Sequence, residues 1–121
     1  MRIRIVLIAA AAVAALAVSG SAMGRPAAAI LKGTVGPGFT ITLKKGGKAV
    51  KTLPHGSYVI TVKDQSDQHN FHIFGPGVAK VVTSVPFVGT KKITVTLKKG
   101  TYTFQCDPHA QSGMKGTFKV T

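Results

Sequence analysis

The sequence contains no glutamate, no tryptophan and a single cysteine, Cys106. With one cysteine, no disulfide can form within the chain. The acidic residues are three aspartates, against 16 lysine and arginine residues, and the formal net charge is +13. The 121 residues suffice for one small domain. The chain therefore needs a stabilising feature other than a disulfide, and its surface is expected to be strongly basic.

Long apolar runs are confined to the N-terminus. Arg2 and Arg4 precede an apolar stretch at residues 5–18, and small residues follow at 19–24. This order is typical of a secretory signal peptide. The apolar stretch is shorter than the roughly 20 residues that a membrane-spanning helix needs. The N-terminus is therefore predicted to direct export and not to anchor the protein.

The chain is predicted to consist of a signal peptide over residues 1–24, cleaved between residues 22 and 29, and one domain over residues 25–121. We expect the mature protein to have no stable membrane span. Its predicted location is the periplasm, the cell envelope or the extracellular space. A domain of this size is marginally stable, and a free thiol outside the cytoplasm is prone to oxidation. The lone Cys106 is therefore expected to bind a metal ion.

Short alternating segments separated by turns make up the rest of the chain. The 14 glycine and 6 proline residues disfavour long helices, and no segment after the leader has helical apolar spacing. These features predict an all-β fold, a Greek-key β-sandwich of about seven or eight antiparallel strands. The predicted strands lie at residues 39–43, 57–63, 69–74, 78–88, 91–97, 101–106 and 116–121.

Three side chains that bind soft metal ions occur close together near the C-terminus. Cys106, His109 and Met114 lie within nine residues of one another. A thiolate, an imidazole and a long axial thioether suit copper. Zinc also binds cysteine and histidine, but it has little use for the thioether. The segment therefore predicts one copper ion per chain, and the site requires one further ligand.

Two histidines, His69 and His72, compete for the remaining ligand position. On a strand, His69 shares a face with Phe71 and Ile73, whereas His72 lies on the opposite face. Because Phe71 and Ile73 are expected to face the core, His69 is the predicted ligand. His72 is then either a surface residue or a polar group near the ligand loop. His55 lies in a Pro-His-Gly turn, where we expect it to be solvated.

At these residues the sequence resembles the cupredoxin family of type 1 blue copper proteins, and in particular its plastocyanin-like exported bacterial members. The resemblance covers essentially the whole mature chain in strand order, and the ligand loop is its most specific part. The matching elements are His69-Asn70, the strand Tyr102-Thr103-Phe104-Gln105-Cys106, and the loop Cys106-x-Pro108-His109-x4-Met114-x-Gly116.

The resemblance implies a cupredoxin-like sandwich with His69, Cys106 and His109 in a trigonal plane and Met114 in the axial position. It also implies hydrogen bonds between the two ligand-bearing loops, made near the thiolate. Their partners would be Asn70 and Asp107, and Pro108 would constrain the loop.

Two functional classes share this ligand set. One is a one-electron carrier, and the other is a copper-binding protein for copper storage, delivery or resistance. A carrier needs a rigid site, and the constraint at Pro108 together with the inward-facing Cys106 favours that class. Oxidases and nitrite reductases on this fold need further copper sites with paired His-x-His motifs. The four histidines form no such pair, so we do not expect an enzyme.

The excess of lysine bears on the partners. The lysines are predicted to be spread over turns without interleaved aromatic residues, and nucleic acid is therefore not an expected partner. They form either a solvated surface or a field that attracts an acidic redox partner or an anionic envelope. The resemblance implies electron exit through the edge of His109, beside the small residues Ala110 and Gly113. We expect a monomer that docks transiently on an acidic redox partner.

Overall fold

The computed structural model describes residues 27–121, so the predicted signal peptide lies outside the described residues. Within this range ten strands and one 3₁₀ helix are present, and no helix is long and apolar enough to cross a membrane. The strands are β1 (Ala29–Val35), β2 (Ile41–Lys45), β3 (Lys48–Ala49), β4 (Thr52–Leu53), β5 (Gly56–Asp64), β6 (Phe71–Gly75), β7 (Val78–Thr83), β8 (Gly89–Leu97), β9 (Gly100–Gln105) and β10 (Lys115–Val120), and the 3₁₀ helix is Asp107–Ser112.

Two five-stranded sheets face each other. The first sheet has the order β3-β2-β1-β5-β8, and the second has the order β4-β10-β9-β6-β7. The predicted all-β sandwich is confirmed, but the expectation of antiparallel pairing throughout is wrong. β1 runs parallel to β5, and β4 runs parallel to β10. Parallel neighbours cannot be joined by a hairpin. The connection from β1 to its parallel neighbour β5 therefore passes through β2, β3 and β4.

The N-terminal strands depart most from the prediction. β1 was not predicted as a strand. Gly33 interrupts its apolar alternation, and a Cβ there would lie 2.9 Å from Cε2 of Phe71. The strand predicted at residues 39–43 begins at Ile41 instead, so Phe39 belongs to the loop between β1 and β2. The count rises to ten in the described range partly because β3 and β4 are two residues each.

Apolar side chains from the inner faces of both sheets form one core. Phe71 stacks on Phe104 with ring centroids 5.9 Å apart, and Tyr102 stacks on Phe118 at 5.4 Å. Burial of each such side chain contributes about 1.5–3 kcal/mol. Cys106 directly follows β9 and is itself part of this core. The core therefore fixes one predicted metal ligand by packing.

Candidate metal centre

The pairing of β6 with β9 brings the two predicted ligand segments together. The strands are antiparallel, and His72 lies opposite Gln105. The chain just before β6 therefore lies beside the chain just after β9. His69 is in the first of these segments and Cys106 is in the second. His109 follows within the 3₁₀ helix.

His69, Cys106 and His109 form the one cluster of potential metal ligands found among residues 27–121. The Nδ1 atoms of the two histidines are 3.0 Å apart. Sγ of Cys106 is 3.6 Å from Nδ1 of His69 and 3.5 Å from Nδ1 of His109. The point equidistant from the three atoms in their plane lies about 2 Å from each, close to a metal–nitrogen bond and slightly shorter than a metal–sulfur bond. The three side chains therefore fit a trigonal metal ion.

Most of the cluster is shielded from water. His69 is 3% exposed and Cys106 is fully buried, whereas His109 is only partly buried. The site is thus closed on the core side, and His109 is its ligand nearest the surface. The imidazole of His109 would therefore be the ligand that links a bound ion to the protein surface.

Met114, the fourth predicted ligand, is 2% exposed and ends the same loop. Its carbonyl accepts a hydrogen bond from the backbone N–H of Cys106 at 3.0 Å, and its own N–H donates to the carbonyl of His109 at 3.2 Å. These bonds return the chain to the neighbourhood of the thiol. The loop therefore holds Met114 beside two of the clustered residues.

The 3₁₀ helix gives the ligand loop its shape. Pro108 lies at its second residue, where the fixed φ of proline is compatible with a helical turn. The N–H of His109 donates to the carbonyl of Cys106 at 3.1 Å. Gly113 ends the helix in the left-handed region with φ 94°, and its N–H donates to the carbonyl of Ala110. The loop is therefore tightly hydrogen-bonded from end to end.

Asn70 links the loop before β6 to the loop after β9. Its Oδ1 accepts from the backbone N–H of Asp107 at 2.7 Å, and its Nδ2 donates to Oδ2 of Asp107 at 3.0 Å. Asn70 is itself buried. These are the partners that the resemblance implied, and they fix the spacing between His69 and Cys106, the residues adjacent to the bonded pair.

Asp107 collects three side-chain hydrogen bonds. Oδ1 accepts from Nδ1 of His72 at 2.9 Å and from Nε2 of Gln105 at 2.8 Å, while Asn70 binds Oδ2. Partial burial raises the pKa of Asp107, but the hydrogen bonds from Gln105, His72 and Asn70, with the charge attraction of His72, together hold that pKa below its ordinary value. Asp107 is therefore held as a carboxylate next to the thiol-bearing residue.

The predicted difference in burial between the two competing histidines is confirmed, but β6 begins at Phe71, so His69 precedes the strand on which it was predicted. His69 is buried with Phe71 and Ile73, and His72 lies partly exposed on the opposite face. The contact of His72 with Asp107 makes it the polar group near the ligand loop, the second of the two roles left open for it. His55 is exposed and away from the cluster, and its Nδ1 donates to the carbonyl of the C-terminal residue at 2.9 Å.

Phe39 is a residue at the site that sequence reasoning missed. Its ring meets the rings of His69 and His109 edge-on, with centroids 5.4 and 4.9 Å apart. The side chain is nevertheless 72% exposed. In the ligand loop, Ala110 is partly buried and Gly113 is exposed. The exposed ring of Phe39 therefore adds a large apolar group next to His109, in addition to the small residues of the ligand loop.

The sequence of this chain matches known copper-binding proteins. Residues 34–121 match the model of the family described as copper binding proteins, plastocyanin/azurin family. Plastocyanin from Daucus carota is 59% identical over 32 residues. That match covers 26% of this chain and spans only 33% of the length of the carrot protein.

Solved structures share the fold. Reduced rusticyanin superposes with a TM-score of 0.57 and 24% identity, covering 76% of this chain and 78% of its own. Rusticyanin from Thiobacillus ferrooxidans gives a TM-score of 0.55, 24% identity and 76% coverage of both chains. A multi-copper oxidase from Pediococcus acidilactici gives a TM-score of 0.56 and 16% identity. The match covers 80% of this chain and 27% of the oxidase.

Proposed function

The chain belongs to the plastocyanin/azurin family of copper-binding proteins, and from this premise we propose that it is a one-electron carrier with a single type 1 copper ion. The observation that carries the proposal is the triangle formed by two Nδ1 atoms and one Sγ atom. His69, Cys106, His109 and Met114 would hold the ion.

Each ligand has a distinct part in the proposed site. Bound copper supplies the redox chemistry by alternating between Cu(II) and Cu(I). Cys106 supplies a thiolate from within the core, where water is excluded. His69 closes the buried side of the site. His109, at the surface, provides the path by which an electron enters or leaves.

The hydrogen bonds around the cluster favour a carrier over a protein that delivers copper. Asn70 and Asp107 fix one loop to the other, and the backbone bonds of Cys106 and Met114 close the ligand loop. A rigid site changes little when the metal changes its charge, which suits rapid electron transfer. A delivery site would need a ligand loop that opens. We further propose that the chain is not an oxidase, because its four histidines form none of the His-x-His pairs that further copper sites require.

The proposed carrier works outside the cytoplasm. The N-terminal leader predicted at residues 1–24 would export it to the periplasm or beyond, with cleavage between residues 22 and 29. The domain over residues 25–121 would act as a monomer. Its partner would be an acidic redox protein, because residues 25–121 keep 14 of the 16 lysine and arginine residues against three aspartates.

The decisive experiment is to add Cu(II) to the purified apoprotein and record its visible and electron paramagnetic resonance spectra. We expect one copper per chain, an intense charge-transfer band from the thiolate and a small copper hyperfine splitting. Cys106→Ser should abolish the colour. A colourless one-to-one Cu(II) complex of the unmodified protein would contradict the proposal.

A matched pair of histidine variants tests the ligand assignment. His69→Ala should bleach or reshape the visible band, whereas His72→Ala should leave it nearly unchanged, since His72 contacts Asp107 and not the cluster. The reverse pattern would overturn the assignment.

Retention of copper distinguishes the two functional classes. A carrier should keep its copper through repeated reduction and oxidation in the presence of a chelator, whereas rapid loss of Cu(I) to the chelator would indicate copper delivery.

A further inference from the structure

The outer side of the first sheet is a basic surface that the metal centre does not use. We call this surface the lysine face. Its side chains alternate with the buried ones along β1, β2, β5 and β8, and they are mostly lysine and threonine. The face comprises Ile30, Lys32, Thr34, Thr42, Lys44, Ser57, Val59, Thr61, Lys63, Thr90, Lys92, Thr94 and Thr96.

The strand register aligns the lysines. Lys44 is opposite Lys32, Lys32 is beside Thr61, and Thr61 is opposite Lys92. These residues form one row across four strands, and Lys63 lies in the neighbouring row. All four lysines are exposed. The expectation that lysines are spread over turns is therefore wrong for this group, which the register places on one side of a sheet.

No carboxylate belongs to the lysine face. Asp64 points into the interior and is 1% exposed, Asp67 lies in the loop after β5, and Asp107 is at the metal centre. The one ion pair found among residues 27–121 joins Asp107 to His72. The positive charge of this surface is therefore not neutralised by neighbouring side chains.

The arrangement opposes folding at one point. Lys32 and Lys44 are directly opposite each other on antiparallel strands, a position at which like charges are destabilising. A face designed only for solubility would be more stable with mixed charges. An anionic surface laid against the face would relieve this repulsion, which makes the pair a feature that favours a partner.

An apolar side chain adjoins the lysines. Ile30 is 55% exposed, and the register places it beside Val59 on the lysine face. Basic residues around an exposed aliphatic side chain are typical of surfaces that bind the interface of an anionic bilayer. A soluble polyanion would use the lysines but would gain nothing from Ile30.

We propose that the lysine face docks the protein on an anionic lipid bilayer. The metal centre lies elsewhere, at the end of the sandwich: Phe39 lies in the loop after β1, and His69 lies in the loop after β5. The lysine face runs along the side of the same strands. Docking would therefore leave His109 accessible. This inference does not depend on the nature of the metal or on electron transfer.

The test measures binding of the mature protein to phosphatidylcholine vesicles with and without phosphatidylglycerol. We expect binding only to the anionic vesicles, and the triple variant Lys32→Gln/Lys44→Gln/Lys92→Gln should weaken it about a hundredfold. The matched control is Lys48→Gln/Lys98→Gln/Lys99→Gln, which removes equal charge outside the lysine face and should weaken binding far less. Circular dichroism verifies that each variant is folded. Equal losses in the two variants would overturn the proposal, because net charge alone would then explain binding.

A second variant distinguishes the bilayer from a soluble polyanion. Ile30→Ser should weaken binding to anionic vesicles and leave binding to heparin unchanged. If the protein binds heparin through the same lysines and does not bind vesicles, its partner is an anionic polymer and the proposal is wrong. If Ile30→Ser has no effect on vesicle binding, the apolar contact with the bilayer is also disproved.

Discussion

Met114 differs from the other proposed ligands because its thioether is a weak donor. Its side chain is buried, and leucine has nearly the same volume, so Met114→Leu should cost less than about 1.5 kcal/mol of stability. The variant should keep the visible band, which depends on the thiolate. Its reduction potential should rise, because loss of an axial donor disfavours Cu(II) more than Cu(I). A redox titration checks this, and an unchanged or lower potential would argue against axial ligation.

Asp107 makes a separate, pH-dependent contribution to the apoprotein. Since its pKa in the folded protein lies below the ordinary value of 3.8, the unfolded chain binds the proton more readily. The stabilisation is fully present above that ordinary value and is lost as the pH falls through the lower, folded pKa. Asp107→Asn should therefore flatten the acid limb of the unfolding free energy against pH.

The control for this experiment is Asp67→Asn, which changes an exposed aspartate outside the network. Asp67 accepts a hydrogen bond only from the neighbouring Gln68 among the side chains around it. The two variants lose the same formal charge, so a difference between their acid limbs isolates the contacts made by Asp107. Parallel curves for the two variants would show that the network around Asp107 contributes nothing at low pH.

At the scale of the elements, the contact between β9 and β10 depends on a glycine. Gly116 is opposite Phe104, and a Cβ at position 116 would overlap the Phe104 ring, with Cε2 only 2.8 Å away. Gly116→Ala should therefore destabilise the protein by about 1–3 kcal/mol through overpacking. Gly38→Ala is the control, since a Cβ there meets nothing within 4 Å. Chemical denaturation measures the unfolding free energies of the two variants. Equal values would show that the Phe104 ring moves aside freely.

The strands that could be predicted are those whose alternation is uninterrupted. β5, β8 and β9 show a clear period of two, and the pattern follows from one face being buried and the other solvated. β1 is broken by Gly33, whose place under Phe71 depends on the opposite sheet. Parallel pairing could not be predicted either, since alternation shows which face is buried and not which strand is the neighbour.

The metal centre divides in the same way. Cys106, His109 and Met114 are close in sequence, so local spacing was enough to group them. Phe39 reaches the two histidine rings only because the β1–β2 loop and the ligand loops meet at one end of the sandwich. No local pattern marks such a contact, since it depends on how the sheets face each other.

At the scale of the whole molecule, charge and chemistry are separated in space. The proposed electron path ends at His109, beside the exposed ring of Phe39. The lysine face lies along the side of the first sheet, and the remaining lysines are spread over turns and other strands, among them Lys80 on β7 and Lys115 and Lys119 on β10. An apolar docking surface gives a weak contact that dissociates quickly, while surrounding charge increases the rate of encounter. The same chain can therefore attract an acidic partner without binding it tightly.

This separation predicts how ionic strength affects electron transfer. The association rate with an acidic redox partner should fall steeply with added salt, because the Debye length shrinks from about 10 Å at 0.1 M to about 3 Å at 1 M. With a basic partner the rate should rise instead, since screening then removes repulsion. Stopped-flow mixing of the reduced protein with one partner of each kind measures both. A rate with the acidic partner that is flat or rises with salt would mean that the lysines do not steer association and that the apolar surface around His109 governs docking alone.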